Sequence, residues 1–416
     1  MDELEDRAMF SEWSQQRNVS TRSLKRASLV IKQLDLTKKL RTIPVLGVVG
    51  SKGKGTSAVY ASAAIAACGH KVGTITSPGV IANIDRVRID GRVLSSELYQ
   101  DMLNEILSVR EKLPPLSQKT GYLSPSGLYM IGGVSTLIKE GCDAIVIEAG
   151  MGGRSDELSL FELDELIVTQ IFNEHNEIIG PTLIDIARNK MGVLSARTRR
   201  IFSLPQADPV RKEVIAACDK FNSDLIWVNE ETDDDSHATY YPPGHNRLNA
   251  VAGVQAGVAL CKSIDTQQVS GSALRKTLET VHYPGRLSEH QHKEGKVIID
   301  SAISRDGLVS AIAFAVSRFG RDPDIIAVSL HRNKDLEGFI QELQSVNSRK
   351  VFVNIKKSHA PYPSRAAWPW DWIEDDELHR LLETGTVLVV GTAYYSAFVL
   401  KILGDNTNCI FRVQDR

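Results

Sequence analysis

Residues Gly47–Thr56 read GVVGSKGKGT, and they close an apolar run, Ile43–Val49 (IPVLGVV), with a glycine-rich turn. The segment after it, SAVYASAAIAAC from Ser57, is alanine-rich and reads as a helix ending near Gly69. The sequence therefore predicts strand, loop, helix in that order. Glycines at 50, 53 and 55 let backbone N–H groups converge on phosphate oxygens. Lys54 adds a point charge, and Thr56 offers a hydroxyl to Mg²⁺ at the helix N-terminus. The spacing departs from the commonest Walker A because Gly55 separates the lysine from the hydroxyl residue. A mere glycine-rich surface turn would need neither the strand before it nor the helix after it.

Working outward, Lys71–Thr76, Asp143–Ala149 (DAIVIEA) and Leu166–Ile171 (LIVTQI) read as further near-continuous apolar strands, as in a parallel sheet covered on both faces. After Val228 the composition turns acidic and contains Pro and Gly (NEETDDDSHATYYPPGH), which predicts a loop or short linker, with DDD at 233–235 a solvated part of it. A helix from Arg247 to about Cys261 follows. The stretch HYPGRLSEHQHKEGK is polar and turn-rich, and the βα rhythm then restarts at Lys296–Asp300, Asp324–Leu330, Lys350–Asn354 and Thr386–Thr392. The fold expected is α/β: a large phosphate-loop, nucleotide-binding parallel-sheet domain over residues 1–286 and a smaller Rossmann-like C-terminal domain over 287–416.

Composition narrows the function. The chain has 416 residues, 42% hydrophobic and 24% charged, enough apolar material for a substantial core. Its 49 Lys and Arg against 51 Asp and Glu leave no basic excess for gripping nucleic acid or an anionic membrane. No stretch approaches the ~18 apolar residues that span a bilayer, and MDELEDRAMF lacks the layout of a signal peptide, so a cytoplasmic location is expected. Five scattered cysteines without CxxC spacing argue against a disulfide framework or a zinc knuckle and read as small buried hydrophobes.

Three more segments carry chemistry. In IVIEAGMGGRSDE, Glu148 ends an apolar strand, where a carboxylate opposite a phosphate loop can hold the nucleotide's metal; alone it would read as a solvent-facing turn residue. In VTQIFNEHNEIIGPTLIDIARNKMGVLS, His175 follows another strand and Lys190 lies in the helix beyond; separately they would read as a structural histidine and a solvated lysine. WPWDW, Trp368–Trp372, could stack a planar ligand, but its spacing suits a partly buried loop or strand edge better.

Taken in order, GSKGKGT, TSPGVIANIDRVRIDG, EAGMGGRSD, HNEIIGPTLIDIARNKMGV, GHNRLNA and YPGRL resemble the folylpolyglutamate synthase branch of the Mur ligase superfamily, over about residues 40–416. Members read TNGKGS, TSPHLVRFNERIRING, EVGLGGRLD, DHTEFLGDTLEEIAREKAGI, GxHQxxNA and WPGRLE. The resemblance implies an ATP-dependent amide ligase, in which a substrate carboxylate takes the γ-phosphoryl group and an amino acid's amine attacks the acyl phosphate. It implies that Gly50, Ser51, Gly53, Lys54, Gly55 and Thr56 cradle the triphosphate, and that Thr56, Ser77, Glu148 and His175 share magnesium sites. Lys190 matches a lysine that members carry as a CO₂ carbamate. Asn249 would contact adenine, while Arg286 and Asp300 would reach phosphate and ribose. Partners would be small-molecule carboxylates and amines, with a monomer as the family default. The match breaks at two places. The family's His, Phe and Asn in TSPHLVRFNERI become Gly79, Asn83 and Ile84, and DGAHNP becomes DSAISR, with Ile303 and Ser304 for its His and Asn. These departures favour a specialised, non-folate acid. The rival expectations are a genuine folylpolyglutamate or dihydrofolate synthase, and a nucleotide-binding partner without ligase turnover.

Overall fold

The computed structural model describes residues 2–17, 21–117, 119–174, 176–229, 241–242, 244, 246–265, 270–356 and 361–413. They form two compact units, one of Met1–Gly79, Ile84–His282 and Asn408–Arg416, the other of Val80–Asn83 and Tyr283–Thr407. Each unit thus takes in a short piece of chain remote from its main segment.

The first unit is built on β1 (Val45–Val49), β2 (Val72–Ile75), β3 (Val87–Ile89), β4 (Arg92–Val93), β5 (Ala144–Glu148), β6 (Glu165–Val168), β7 (Arg200–Ser203) and β8 (Asp224–Trp227). They lie in the order β4-β3-β2-β5-β1-β6-β7-β8, parallel except for β3 and β4 at one edge. All five residues of β1 are buried, as a central strand covered on both faces requires. Its start is fixed by Asp164, whose Oδ2 accepts from Val45 N at 2.9 Å and from Arg197 Nη2 at 2.8 Å. The apolar run at Leu166–Ile171 is strand only to Val168. Beyond it Gln170 O accepts from Ser51 N and Ile171 N donates to Gln206 Oε1, so the backbone has left the ladder.

Helices of eight or more residues are, in this unit, α1 (Leu24–Gln33), α2 (Lys54–Ala67), α3 (Ser96–Arg110), α4 (Pro125–Lys139), α5 (Leu183–Lys190), α6 (Asp208–Phe221), α7 (Asn246–Ile264) and α8 (Gly271–Leu278). From Gly55 to Ala66 every residue of α2 is buried, which explains an alanine-rich helix with no polar face. Its closest neighbour is α7. A Cβ placed on Gly257 would lie 2.5 Å from Ala61 O, and one on Gly253 would overlap Ser57 O, so the two backbones touch where α7 carries glycine. Residues near 410 complete the edge of the sheet: Val93 N donates to Asn408 O, Ile410 N to Gly91 O and His282 N to Ile410 O. Ile410 and Phe411 are fully buried.

The second unit holds β9 (Arg286–His292), β10 (Gly295–Asp300), β11 (Ile325–Ser329), β12 (Arg349–Asn354), β13 (Asp371–Glu374) and β14 (Thr386–Gly391), in the order β13-β12-β11-β14-β10-β9. Only β9 is antiparallel. Alternate strand residues feed two cores. Ile298, Val328 and Phe352 join Leu308 and Phe314 of α9 (Arg305–Phe319) and Phe339 of α10 (Leu336–Leu343), whereas Val297, Val353 and Val389 join Tyr395 and Val399 of α11 (Ala393–Ile402). The polar stretch read as turns after Val281 contains β9. An edge strand has one paired side and shows no apolar run, which is why composition hid it. Trp368 is buried in the first of these cores and Trp372 stacks on Phe352 with centroids 4.4 Å apart, so these two rings of WPWDW are structural. DDD at 233–235 lies outside the described residues. Among the described residues no helix is long and apolar enough to cross a membrane.

The α2–α7 contact is testable by bulk alone. Gly257→Val should lower unfolding free energy by about 2–3 kcal/mol in urea denaturation, because the added atoms meet backbone rather than a movable side chain. Gly271→Ala, at a position with open space around it, should change stability by less than about 1 kcal/mol. Equal effects would show that the helices tolerate separation.

Candidate functional site

The ladder register aligns the strand ends. Val48 pairs with Glu148, Val49 with Val168, and Ile75 with Ile147, so the loops after β1, β2, β5 and β6 leave one edge of the sheet together. In an open parallel sheet this carboxyl edge is where ligands bind.

The loop after β1 is held on three sides. Gly50 (φ 140°) packs on Thr169, and Gly53 (φ 88°) on the side chain of Asn249; a Cβ at either would overlap that neighbour. Ser51 donates through N to Gln170 O at 2.9 Å and through Oγ to Phe172 O at 3.2 Å. Ser57 Oγ donates to the Asn249 carbonyl at 2.8 Å, tying α2 to α7 beside the loop. Gly55 and Thr56 lie buried in the first turn of α2.

Two lysines meet on one carbonyl. Lys54 Nζ lies 3.0 Å from Gly50 O, and Lys190 Nζ, from the end of α5, lies 2.8 Å from the same atom. Lys190 is 1% exposed and pairs with Glu174 Oε1 at 2.7 Å. Burial, reinforced by the charge of Lys54, pulls Lys190 down to about 8 against the opposing pull of Glu174. Burial alone would raise Glu174, but the charges of Lys190 and Lys54 and the hydrogen bond from Lys190 outweigh it and hold the carboxyl below its ordinary value.

On the strand beside β1, Glu148 is buried at the end of β5 and its Oε2 accepts from Ser77 N at 2.9 Å. Arg86 Nη1 lies 3.5 Å from Ser77 Oγ, and its guanidinium sits 4.9 Å from the Tyr129 ring centroid. Burial lowers the Arg86 pKa, opposed by Tyr129, Tyr99, Glu148 and Glu5. Tyr129 OH donates to Glu5 Oε1 at 2.7 Å and pairs with Tyr99 OH at 3.2 Å. The loop after Glu148 is anchored by Asp156, which accepts from Met151 N at 3.0 Å. Arg22 gathers Asp156, Glu157, Ser124 and Ser126 around one guanidinium.

The structure therefore places Gly50, Ser51, Gly53, Lys54, Gly55, Thr56, Lys190 and Asn249 around one loop, with Ser77 and Glu148 in contact on the neighbouring strand ends. His175 lies outside the described residues. Arg286 and Asp300 belong to the second unit, facing each other across β9 and β10, where Asp300 Oδ2 accepts from Leu287 N at 3.1 Å. There Ile303 packs on the apolar core and Ser304 caps α9 through Gly307 N, which gives both departures from DGAHNP a structural use. Glu174, Arg86 and Arg22 were not among the residues singled out in sequence. Glu174 had a signal, being the neighbour of His175 in NEHNE; Arg22 sits in a polar stretch with none.

These residues fit a magnesium nucleotide. The glycine backbone at 50 and 53 has no room for side chains, two ammonium groups converge beside it, and a buried carboxylate stands on the next strand.

No family model matches the chain. It is 23% identical over 397 residues to the dihydrofolate synthase/folylpolyglutamate synthase of Bacillus subtilis, covering 87% of this chain and 91% of that protein. Among solved structures, Mycobacterium tuberculosis folylpolyglutamate synthase complexed with ADP and AMPPCP superposes with a TM-score of 0.79 at 18% identity, over 97% of this chain and 99% of that one. The bifunctional folylpolyglutamate synthase/dihydrofolate synthase of Yersinia pestis, complexed with AMPPNP and a manganese ion, gives 0.74 at 20% identity, over 92% and 94%. The chain is thus similar along nearly its whole length to folylpolyglutamate and dihydrofolate synthases, and it shares the fold of their solved structures, a phosphate-loop sheet followed by a second largely parallel sheet.

The Glu174–Lys190 pair makes a direct stability prediction. Glu174→Ala should cost about 3 kcal/mol in urea denaturation by stranding a buried ammonium, and the double variant Glu174→Ala/Lys190→Met should recover most of it. A single-variant loss under about 1 kcal/mol would show that Lys190 does not depend on this partner.

Proposed function

We propose that this chain joins a carboxylic acid to the amine of an amino acid through an acyl phosphate. The observation that carries the reading is the Gly50 carbonyl with Lys54 and Lys190 bound to it, one strand away from buried Glu148. Two cations sharing one neutral oxygen leave positive charge for an incoming anion, and Glu148 supplies a hard oxygen ligand at its edge.

In this reading the acid's oxygen attacks the γ-phosphorus of ATP, the bond to the β,γ-bridging oxygen breaks, and ADP leaves. The amine nitrogen then attacks the acyl carbon and gives up a proton, and inorganic phosphate departs. N–H groups at Gly50, Gly53, Gly55 and Thr56 cradle the phosphates, Ser51 belongs to the same cradle although its own N–H is taken by Gln170 O, and Lys54 stabilises charge that grows on the transferring group. Thr56, Ser77, Glu148 and His175 would hold magnesium, which would neutralise phosphate oxygens. Lys190 as a carbamate would replace a cation with an anion, releasing its contact with Glu174. Asn249 is assigned to adenine, and Arg286 and Asp300 to phosphate and ribose. A monomer in the cytoplasm belongs to the same proposal; the five cysteines are free thiols, which suits a reducing compartment.

Two acceptors remain in contention on specific grounds. The relatives named above are folate enzymes along most of their length, and nothing in them supports a non-folate acid. A folate acceptor therefore fits equally with the specialised acid that Gly79, Asn83 and Ile84 suggest.

Lys54→Ala should lower amine-dependent ADP release at least ~100-fold in kcat/KM, equivalent to roughly 2.7 kcal/mol of transition-state stabilisation. Unchanged turnover would remove the phosphate-loop assignment. The acceptor is decided by the same assay over a panel of acids that includes dihydropteroate and tetrahydrofolate, each with common amino acids. Turnover with those two plus glutamate establishes the folate reading, turnover only with another acid the specialised one, and nucleotide binding without ADP release a non-catalytic partner.

A further inference from the structure

At the end of α2 remote from the phosphate loop, the contact with α7 closes on two thiols. The helices run parallel in a four-residue register: Gly53 against Asn249, Ser57 against Gly253, Ala61 against Gly257. One turn further, the same register sets Cys261 of α7 against the last turn of α2, which Cys68 caps. Cys68 Sγ turns back into that turn, 3.1 Å from Ala64 O, with the Cys261 thiol as its neighbour. Cys261 is buried and Cys68 half-buried, so one thiol of the pair is open to small solutes.

We propose that Cys68 and Cys261 form a reversible disulfide in response to peroxide-class oxidants, a modification site that locks the phosphate-loop helix to α7. The Cys68 thiolate attacks one peroxide oxygen and the O–O bond breaks, giving a sulfenic acid and hydroxide, which is protonated to water. The Cys261 sulfur then attacks the sulfenic sulfur; the S–O bond breaks, the thiol proton leaves with the oxygen, and a second water departs. Two thiols and one peroxide give one disulfide and two waters, and a dithiol reductant reverses the change.

The surroundings select this pair. The hydrogen bond from Cys261 stabilises the Cys68 thiolate and lowers its pKa despite burial and the charge of Asp265, which is itself engaged by His70 at 3.7 Å. The contact with Cys68 and burial raise Cys261, with the charges of Asp265 and Glu165 adding to the effect, so it serves as the resolving thiol. Burial pushes Cys142 up to about 12 and Cys218 to about 11, leaving both inert. The helices are in backbone contact one turn away, where Gly257 meets Ala61.

The test treats the native, full-length chain with stoichiometric hydrogen peroxide and reads intact mass, free thiols and linked peptides. Two of the five thiols should disappear together, a Cys68–Cys261 peptide should form, the thermal midpoint should rise by several degrees, and dithiothreitol should restore all three. Cys68→Ser should abolish the loss and leave Cys261 open to alkylation after unfolding. Oxygen added to Cys68 while Cys261 stays free, loss of any other pair, persistence of the two-thiol loss in Cys68→Ser, or no loss under excess peroxide would each overturn the assignment.

Discussion

The carbonyl oxygen of Gly50 is the atom on which the site depends. It accepts from Lys54 and Lys190, two cations brought from helices 136 positions apart in the chain, and each would be repelled by the other without a shared acceptor. An oxygen with two lone pairs can serve both only if its peptide is turned out of the strand direction. That turn is available because Gly50 has a left-handed φ and no side chain to collide with Thr169. Glu174 then offsets the charge on one side.

The same economy of side chains shapes the scaffold. α2 is buried all round and has almost no volume to contribute, so it is filled in by close backbone approach from α7 rather than by large apolar residues. A phosphate loop needs its following helix fixed in position, and a contact made of backbone and small side chains has few alternative packings.

Much of this was legible in sequence. Continuous apolar runs gave β1, β2, β5, β10, β11, β12 and β14, since central parallel strands are buried on both faces and have no polar alternation to confuse the reading. The edge strands were not legible: β9 spells RLSEHQH, and β4 is two residues long. At the site, the glycines and Lys54 announce themselves by spacing, and Glu148 by ending a strand. Glu174 and Arg86 do not, because their importance comes from what the fold sets beside them: a buried ammonium from a later helix in one case, a tyrosine face and a carboxylate in the other. Arg22 is further still from its signal, joined to Glu157 over 135 positions of sequence. The tryptophans at 368 and 372, read as a partly buried loop or strand edge, pack on Phe352 as that reading expects.

The chain leaves the first unit at His282, builds most of the second, and returns at Asn408 to lay Ile410 and Phe411 against the Gly91 turn. On the ribosome this order has a cost in time. Domains usually fold as they emerge, N-terminal first, but the first unit here stays one edge short until the second has been translated in full. During that interval a nascent chain exposes the surface that Ile410 and Phe411 later cover, together with the unpaired backbone of Gly91 and Val93. The first unit is thus completed by residues that are made only after the whole of the second.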